Sequence, residues 1–469
     1  MATPTPATPT APRSTRPAPT PRASTLRTAD VTAELERELA APVPAGTGAG
    51  PSPLARCFGT TPERFAAEHW NRAPLLVRAA DRGHALARGF DDLLSPADVD
   101  ALLGPRGLRT PFFAMVRDGV TLPRSSYTRA ANAGNQRLGD LPDPDGIARN
   151  HAEGATIVLN ALHRVWPALG VFCRDLAAEL GCQTQTNVYV TPPGAQGFKP
   201  HHDTHDVLVL QVDGRKHWTI HPPAVELPLR TQPSKDLGPD PVGGREPLVD
   251  TVLEPGDALY LPRGYLHSAQ TTDDRSIHLT VGLLATTWQD VLTDLLASAG
   301  KGGGEDSLAL RRALPLPVEA EGPTGLESDV AVFRRAALAW LEQLDDDAVE
   351  RVVAARRRQA VPLEPVGPLS QDRAARTLGA DGAVRPRIGL HARVEVAGDR
   401  VELRVDQRTV SFPGWVEPAL RAALAGPSSP SSLAGSGVAI DADDAQVLLR
   451  RLLRERVLVP AGQVPEGTS

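Results

Sequence analysis

The spacing of apolar positions divides the chain into a helical first part, a β-rich middle and a second helical part. From Pro62 the apolar residues Phe65, Trp70 and Leu75 mark a helical stripe behind the candidate N-cap Thr61, and a second amphipathic stretch covers about Leu162 to Leu180. From about Thr186 to Thr286 short β-rich runs such as NVYVT, DVLVLQV and DALYLP alternate with PPG, DG, PG and PRG turns. This succession predicts an antiparallel barrel or sandwich.

The pattern beyond Trp288 predicts two to four helices up to about Gln359, whose apolar stripes suit either a core or a subunit contact. The last hundred residues combine two probable strands, ARVEVAG and RVELRVDQRTVSF, with two helices, an order typical of a winged-helix domain. The predicted fold class is therefore α+β. The predicted domains are a disordered tail (1–50), a β-rich domain (51–288), a helical region (289–362) and a winged-helix-like domain (363–462).

Composition narrows the possible function. The first fifty residues are nearly all Ala, Thr, Pro, Ser and Arg, which cannot bury a core. Over the whole chain 41% of residues are hydrophobic and 23% charged, and no run suits a membrane span, which indicates a soluble globular protein. The formal net charge of −6 argues against direct nucleic-acid binding. Three cysteines without CxxC spacing exclude a disulfide framework and favour the cytoplasm.

The segment PPGAQGFKPHHDTHDVLVLQVDGRKHW carries the candidate chemistry. If it is a strand, His201 and Asp203 project from one face, and His202 from the other. A third ligand is available in His267, which follows the PRG turn after the apolar run ALYL. Two histidines and one carboxylate form the facial triad that leaves open positions on Fe(II) for O2 and a co-substrate.

Other residues compete for these roles. An HxD pair is common by chance, and the chain has 12 histidines. Asp206 is a less favoured alternative to Asp203, because it projects from the opposite face of an unbroken strand. The competing histidines are His202, His205, His217, His221 and His278, of which His217 and His278 are expected to be wall residues rather than ligands.

An iron oxygenase without a flavin or dinucleotide motif must take its electrons from a co-substrate, and 2-oxoglutarate supplies them by decarboxylation. Its far carboxylate needs a buried cation. Lys216 is positioned for this role if residues 212–218 form a hairpin with the ligand strand, and the neighbouring Arg215 is an equal alternative on the sequence alone.

The quoted segment, together with GDALYLPRGYLH and SIHLTVGLLATTW, resembles the JmjC-type ribosomal oxygenases of the cupin-4 family. EHWNRAPLLVR and TIVLNALHRVWPAL extend the resemblance, which covers about residues 55–290. It implies a double-stranded β-helix, or jelly-roll, followed by a helical dimerisation region and a winged-helix-like domain. It also implies hydroxylation of histidine or arginine in a ribosomal protein, and therefore a basic protein partner and a homodimer.

Carried over by position, the resemblance implies His201, Asp203 and His267 as iron ligands and Lys216 as the cation for 2-oxoglutarate. A lysine at this position resembles the histidyl-hydroxylating branch. Asn187 and Tyr189 match an Asn-x-Tyr pair near co-substrate and substrate. Gly282 replaces the serine that relatives place near the 2-oxoglutarate carboxylate, which removes one expected hydrogen bond.

Two other functions stay open from the sequence. One is a hydroxylase of a free amino acid or natural-product intermediate, which needs a closed pocket rather than an open groove. The other is a non-redox zinc cupin with a regulatory role, which tight zinc binding without turnover would identify. A lysyl demethylase is disfavoured, because the lysine-poor composition of the chain suggests a bacterial protein without histone substrates.

Overall fold

A computed structural model describes residues 51–82, 89–196, 198–299, 301, 305–314, 327–405 and 408–462. The predicted disordered tail, 1–50, lies outside the described residues. None of the described helices combines the length and the apolar character that crossing a membrane requires.

The helices that precede the β-rich part all begin with a proline, a residue suited to the first helical position. They are α1 (Pro53–Phe58), α2 (Pro62–Glu68), α3 (Pro96–Leu103), α4 (Pro144–Ala152) and α5 (Pro167–Leu180). Thr61 caps α2 as predicted, since its hydroxyl accepts a hydrogen bond from the Arg64 backbone N–H. The predicted helix from Leu162 begins only at Pro167, a residue suited to the first helical position, and it ends at Gly181 in the left-handed conformation.

Eleven β-strands precede the C-terminal part among the described residues. They are β1 (Leu75–Val77), β2 (Phe113–Arg117), β3 (Val120–Thr121), β4 (Thr128–Ala133), β5 (Gln136–Pro142), β6 (Thr156–Leu159), β7 (Gln183–Thr191), β8 (Asp206–Pro223), β9 (Val249–Leu253), β10 (Ala258–Leu261) and β11 (Tyr265–Leu284). The first of them corrects the predicted helical stripe, because Leu75 lies in β1 and α2 has already ended at Glu68.

The main sheet has the order β1-β10-β8-β11-β7-β6-β2-β3, with β9 pairing to β8, and all of these neighbouring strands are antiparallel. The two long strands β8 and β11 each change register midway. Residues 265–271 of β11 pair with the second half of β8, and residues 276–284 pair with its first half. Each long strand therefore contributes to two layers, which is the jelly-roll arrangement.

The two faces of β8 separate the interior of the barrel from the helical layer. Leu208 and Leu210 belong to the large core that includes residues of α1, α3 and α5. Val207 and Val209 belong to a smaller cluster with Trp218. Because side chains alternate along a strand, β8 is apolar on both faces over its first half.

The DG pair at residues 213–214 does not end a strand, contrary to the predicted turn. β8 continues through it, and Gly214 has a φ of 59° at the register shift. A Cβ atom at this position would overlap the Arg275 carbonyl oxygen, so the bulge requires glycine.

The helical region contains α6 (Trp288–Leu296), α7 (Glu305–Arg311), α8 (Glu327–Glu342) and α9 (Asp346–Ala360). Arg356 of α9 forms a two-point ion pair with Asp294 of α6, with N–O distances of 2.5 and 2.8 Å. Large apolar side chains remain exposed on α6 and α8, including Trp288, Leu292 and Phe333. The predicted dimer contact stays a prediction.

The C-terminal part has its own core. Its helices are α10 (Pro368–Thr377), α11 (Glu417–Ala425), α12 (Pro430–Ala434) and α13 (Ala442–Arg454). Its strands are β12 (Val384–Pro386), β13 (Ala392–Ala397), β14 (Arg400–Val405), β15 (Arg408–Pro413) and β16 (Leu458–Pro460). β13, β14 and β15 form a three-stranded sheet, where the sequence predicted two strands, and β12 pairs with β16. The winged-helix assignment stays a prediction.

Candidate metal centre

The structure brings His201, Asp203 and His267 together at one end of the barrel interior. His201 and His267 form an isolated antiparallel bridge in which each backbone N–H donates to the other residue's carbonyl, at 3.1 and 2.8 Å. The Gly264 N–H donates to the Asp203 carbonyl at 3.1 Å. One bridge and one loop hydrogen bond therefore fix all three backbones.

The local structure of the HxD segment differs from the predicted strand. Only His201 makes a β-bridge, residues 202–205 are irregular, and β8 begins at Asp206. The expected common direction of His201 and Asp203 is nevertheless present, because a ligand atom from each of these two residues and from His267 lies within 4.8 Å of the others.

The two imidazoles present the nitrogen that a metal would bind. His201 Nδ1 donates to the Lys199 carbonyl at 2.8 Å, and His267 Nδ1 donates to the Tyr265 carbonyl at 3.1 Å. A carbonyl oxygen can only accept, so Nδ1 of each ring carries a proton, which leaves Nε2 as the nitrogen that a metal would bind. His267 Nε2 lies 3.8 Å from Asp203 Oδ2, and the two rings are 4.4 Å apart.

Burial keeps His267 in its neutral form. Desolvation, helped by the adjacent His201 and opposed by Asp203, lowers the pKa of His267 to about 4. Metal binding requires an unprotonated imidazole, so this residue loses no free energy to deprotonation near neutral pH.

Asp206, the alternative carboxylate, has other partners. Its Oδ2 accepts from the Tyr260 hydroxyl at 2.6 Å, and its Oδ1 accepts from the Arg263 backbone N–H at 3.1 Å. The Arg263 guanidinium lies 3.5 Å away. This fully buried carboxylate therefore joins β8, β10 and the PRG turn, and it is not part of the His201 cluster.

The competing histidines also have other environments. His202 Nε2 donates to the Gln232 carbonyl at 3.1 Å, and His221 Nδ1 donates to the Arg245 carbonyl at 2.8 Å. His205 Nε2 lies 3.3 Å from the Gln185 amide. The expectation that His217 lines the wall is wrong: its partly exposed ring pairs with Asp250 at 2.6 Å, because odd positions in this half of β8 face outward.

A cavity of about 310 Å³ extends from this cluster into the barrel. Its wall includes Trp218, Phe198 and His278, and the last of these is a wall residue as expected. His278 stacks on Tyr189 with ring centroids 5.1 Å apart and planes at 8°. Burial and the nearby Lys216 hold the pKa of His278 well below its usual value, so its ring is neutral.

Lys216 lies at this cavity and Arg215 does not. The Lys216 side chain is 3% exposed, and its Nζ donates to Thr191 Oγ1 at 3.1 Å. Desolvation lowers the pKa of Lys216 to about 7. Arg215 is exposed and lies 3.4 Å from Asp273. The inward direction of Lys216 follows from the bulged strand, not from the hairpin that the sequence predicted.

Asn187 and Tyr189 differ in their relation to the cavity. Tyr189 lines it, whereas Asn187 is not among its lining residues. Asn187 Oδ1 accepts from the Ala161 N–H at 2.9 Å, where Ala161 has a left-handed φ of 49°. Burial raises the pKa of Tyr189 to about 12, and a hydrogen bond from the Asn187 side chain opposes that shift.

Gly282 lies away from the Lys216 end of the cavity. A Cβ atom there would be 3.0 Å from His205 Nε2 and 3.1 Å from Gln185 Cγ. Thr191, the partner of Lys216, pairs with Ser276, which is six residues before Gly282 on β11, or about 20 Å along the strand. A hydroxyl at Gly282 would therefore meet His205 and Gln185 rather than a carboxylate at Lys216.

Sequence reasoning missed the threonines of the cavity wall, Thr156 and Thr191. Thr191 could have been found, because it is two residues beyond Tyr189 on the same strand and shares its face. Thr156 lies on β6, a strand that the sequence pattern did not separate from its surroundings.

Residues 168–291 match the family model of the JmjC domain. The chain is 34% identical over 280 residues to "Ribosomal oxygenase 1" of Gallus gallus, a match that covers 59% of this chain and 44% of that protein. It is 29% identical over 350 residues to "Bifunctional lysine-specific demethylase and histidyl-hydroxylase NO66" of Culex quinquefasciatus, covering 70% and 49%. The chain thus spans less than half the length of these relatives.

A solved structure, the Escherichia coli ribosomal oxygenase YcfD in complex with cobalt and 2-oxoglutarate, aligns with 87% of this chain and 99% of that one. The TM-score is 0.49 and the sequence identity 16%.

Proposed function

Because the chain contains a JmjC domain and is homologous to ribosomal oxygenases, we propose that it is a 2-oxoglutarate- and Fe(II)-dependent protein hydroxylase. The observation that carries the proposal is the pairing of two features in one cavity. Two imidazoles and a carboxylate converge at one end, and a buried lysine without a carboxylate partner among the described residues lies further inside.

His201, Asp203 and His267 are the proposed metal ligands. Two nitrogen donors and one oxygen donor suit Fe(II) and leave coordination positions open. The hydrogen bonds from both Nδ1 atoms hold the rings with Nε2 toward Asp203, which is the outer support that metal-binding histidines usually have. With 2-oxoglutarate and O2, bound Fe(II) supplies the oxidation that inserts one oxygen atom into a C–H bond and releases succinate and CO2.

The remaining residues bind and orient. Lys216 holds the far carboxylate of 2-oxoglutarate, since a buried ammonium group is stabilised by an anion that enters the same cavity. Tyr189 forms the wall beside it. Val207 and Val209 contribute apolar surface that excludes water from the reacting groups.

We propose a histidine or arginine side chain of a ribosomal protein as the target, in a bacterial cytoplasm. The names of the relatives, ribosomal oxygenase and histidyl-hydroxylase, support this class of substrate. The net charge of −6 favours encounter with a basic protein and disfavours direct nucleic-acid binding. Lys216 favours histidine over arginine, by its resemblance to the histidyl-hydroxylating branch.

The proposal includes a homodimer formed through the helical region 289–362. Its support is the set of exposed apolar side chains on α6 and α8. The part from 363 to 462 is proposed as a winged-helix-like domain. A structural or protein-binding role is proposed for it, because residues 364–469 contain 13 acidic residues and 13 arginines and so have no positive excess for phosphate contacts.

The test begins with the purified chain loaded anaerobically with Fe(II). We expect one metal ion per chain and 2-oxoglutarate-dependent release of succinate, and both should be lost in His201→Ala. Asp250→Ala, a change on the outer face of the barrel, is the matched control. Tight zinc binding without succinate release would refute the assignment.

The substrate is identified separately. Intact masses of ribosomal proteins from cells with and without the gene should differ by one oxygen atom in a single protein. If every ribosomal protein has the same mass in both strains, the substrate assignment fails, while the oxygenase assignment is judged by succinate release.

A further inference from the structure

A second cavity lies next to the loop that carries Asp203. Its volume is about 170 Å³, and it shares no lining residue with the cavity of the metal centre. Its wall is formed by residues 204–205, the segment 228–231 after β8, Arg263 of the PRG turn, and the end of β11 with the first turns of α6. The proposed oxygenase chemistry uses none of these residues.

Two guanidinium groups line this cavity. Arg263 is anchored, because its backbone N–H donates to Asp206 Oδ1 at 3.1 Å, its Nη1 donates to Asn71 Oδ1, and only 11% of its side chain is exposed. The Nε atom of Arg263 is buried and has no hydrogen-bond partner among the described residues. Arg230 is exposed, and no ion pair in the described part of the chain involves it.

His205 adds a third donor to the wall. The side-chain amide nitrogen of Gln185 lies 3.3 Å from His205 Nε2. An amide nitrogen can only donate, so Nε2 accepts and the proton of the ring is on Nδ1. This Nδ1 is buried and has no partner among the described residues. A buried N–H group without an acceptor costs free energy, which an oxygen atom of a ligand would recover.

Asp290 is the only carboxylate among the described residues of this wall, and it already has partners. Its Oδ2 accepts from the Thr287 N–H and from the Thr287 hydroxyl, both at 2.8 Å, which caps α6. Desolvation raises the pKa of Asp290, but these bonds and the charges of Arg230 and Arg356 outweigh it and hold the pKa below its usual value. The cavity thus sets two guanidinium groups and an imidazole N–H against one carboxylate that is already bonded.

We propose that this cavity binds a phosphate group, at a site separate from the co-substrate cavity. Its donors are on three separate segments of the chain, which carry His205, Arg230 and Arg263. A phosphate group presents several oxygen atoms in a tetrahedral arrangement and can accept from donors on different sides, whereas a carboxylate has two oxygens in one plane. Guanidinium groups are the side chains best suited to phosphate oxygens. The proposal does not depend on the oxygenase assignment.

The experiment titrates inorganic phosphate into the full chain by calorimetry, both with and without Mn(II) and 2-oxoglutarate. We expect one phosphate per chain and affinities within about twofold of each other in the two states, because the ligands occupy different cavities. Arg230→Ala should weaken phosphate binding about tenfold or more, since it removes a charged hydrogen-bond donor. Arg64→Ala, which removes an exposed arginine of α2, is the matched control and should bind as the wild type does.

A second variant tests the sign of the electrostatic argument. Asp290→Asn removes the negative charge of the wall but keeps a side-chain oxygen that can accept from Thr287. Phosphate binding should therefore tighten about threefold or more, whereas a variant that only disturbed the fold would bind more weakly. Lys216→Met should bind phosphate as the wild type does, since Lys216 lies in the other cavity.

Ribose 5-phosphate distinguishes the two sources of the group. Tighter binding of the ester than of inorganic phosphate identifies a larger phosphorylated molecule as the ligand, and tighter binding of inorganic phosphate identifies the free ion. The proposal is overturned if neither binds at up to about 10 mM, if 2-oxoglutarate displaces phosphate, or if Lys216→Met loses phosphate while Arg230→Ala retains it. A chain that binds phosphate but no 2-oxoglutarate overturns the proposed function and leaves this site in place.

Discussion

The affinity for 2-oxoglutarate should fall as the pH rises above about 7, because the co-substrate carboxylate binds the ammonium form of Lys216. Burial lowers the pKa of Lys216 to about 7 in the ligand-free chain. A carboxylate beside the amine favours its charged form, so binding raises this pKa and one proton is taken up when the amine was neutral.

The size of the effect follows from the fraction of lysine that is protonated. With a pKa of about 7, that fraction is roughly nine-tenths at pH 6, one half at pH 7 and one-tenth at pH 8. The apparent Kd should therefore rise about fivefold between pH 7 and pH 8, and approach tenfold per unit above that. His267, whose pKa is about 4, stays neutral throughout this range and adds no slope.

Calorimetry at about pH 6, 7 and 8 measures the affinity directly. Repeating each titration in two buffers of different ionisation enthalpy gives the number of protons taken up, which should rise from near zero at pH 6 toward one at pH 8. Lys216→Arg is the matched control, because a guanidinium group stays protonated in this range and should remove both the pH dependence and the proton uptake.

A wild-type Kd that changes less than twofold between pH 6 and pH 8 would refute the reasoning. So would a Lys216→Arg variant that binds with the same pH dependence as the wild type, since the titrating group would then lie elsewhere.

Three further predictions concern metal binding, stability and thiol reactivity. Asp206→Asn should keep full metal stoichiometry in elemental analysis, and loss of the metal would contradict this. The free energy of unfolding measured in urea should fall by about 1–3 kcal/mol, because the change weakens the hydrogen bonds from Tyr260 and Arg263. Lys216→Met should raise the melting temperature of the ligand-free chain at pH 7, because burial of the amine favours the unfolded wild type, in which Lys216 takes up a proton. The difference should shrink as the pH rises toward about 10.5, the ordinary pKa of lysine, and an unchanged or lower melting temperature at pH 7 would be the contrary result. The thiols of Cys57, Cys173 and Cys182 should react with Ellman's reagent only after denaturant is added, because all three are buried and burial raises their pKa to about 11 or 12. Fast reaction of the native chain would contradict this prediction.

The convergence of the three candidate ligands could be predicted from the sequence, although the local structure of the HxD segment could not. Strand parity requires only that His201 and Asp203 point the same way, and a single bridge to His267 with one loop hydrogen bond achieves this without a strand. Parity likewise ranked Asp206 second. Asp206 is unavailable as a metal ligand because its carboxylate accepts a hydrogen bond from the Tyr260 hydroxyl. This contact could not be predicted, because it depends on the pairing of β8 with β10.

Groups that meet only through strand register were beyond sequence reasoning. Thr156 and Thr191 are 35 positions apart, and their hydroxyls approach because Ile157 pairs with Val190 in the β6–β7 ladder. No local pattern around Thr156 specifies that register. An antiparallel barrel or sandwich was predictable, since it depends on the repeated short apolar runs and their turns. The jelly-roll arrangement itself was implied by the family resemblance.

The choice between Lys216 and Arg215, which the sequence left open, is decided by one glycine. Side chains alternate along β8, so a shift of one residue would turn Arg215 into the cavity and Lys216 to solvent. The bulge at Gly214 sets that phase, because its left-handed φ and the close approach of the Arg275 carbonyl admit no side chain there. The DG pair that was expected to be a hairpin turn thus determines which cation lies inside the barrel. Replacing Gly214 would therefore disturb the position of Lys216 in the cavity without changing any residue that lines it.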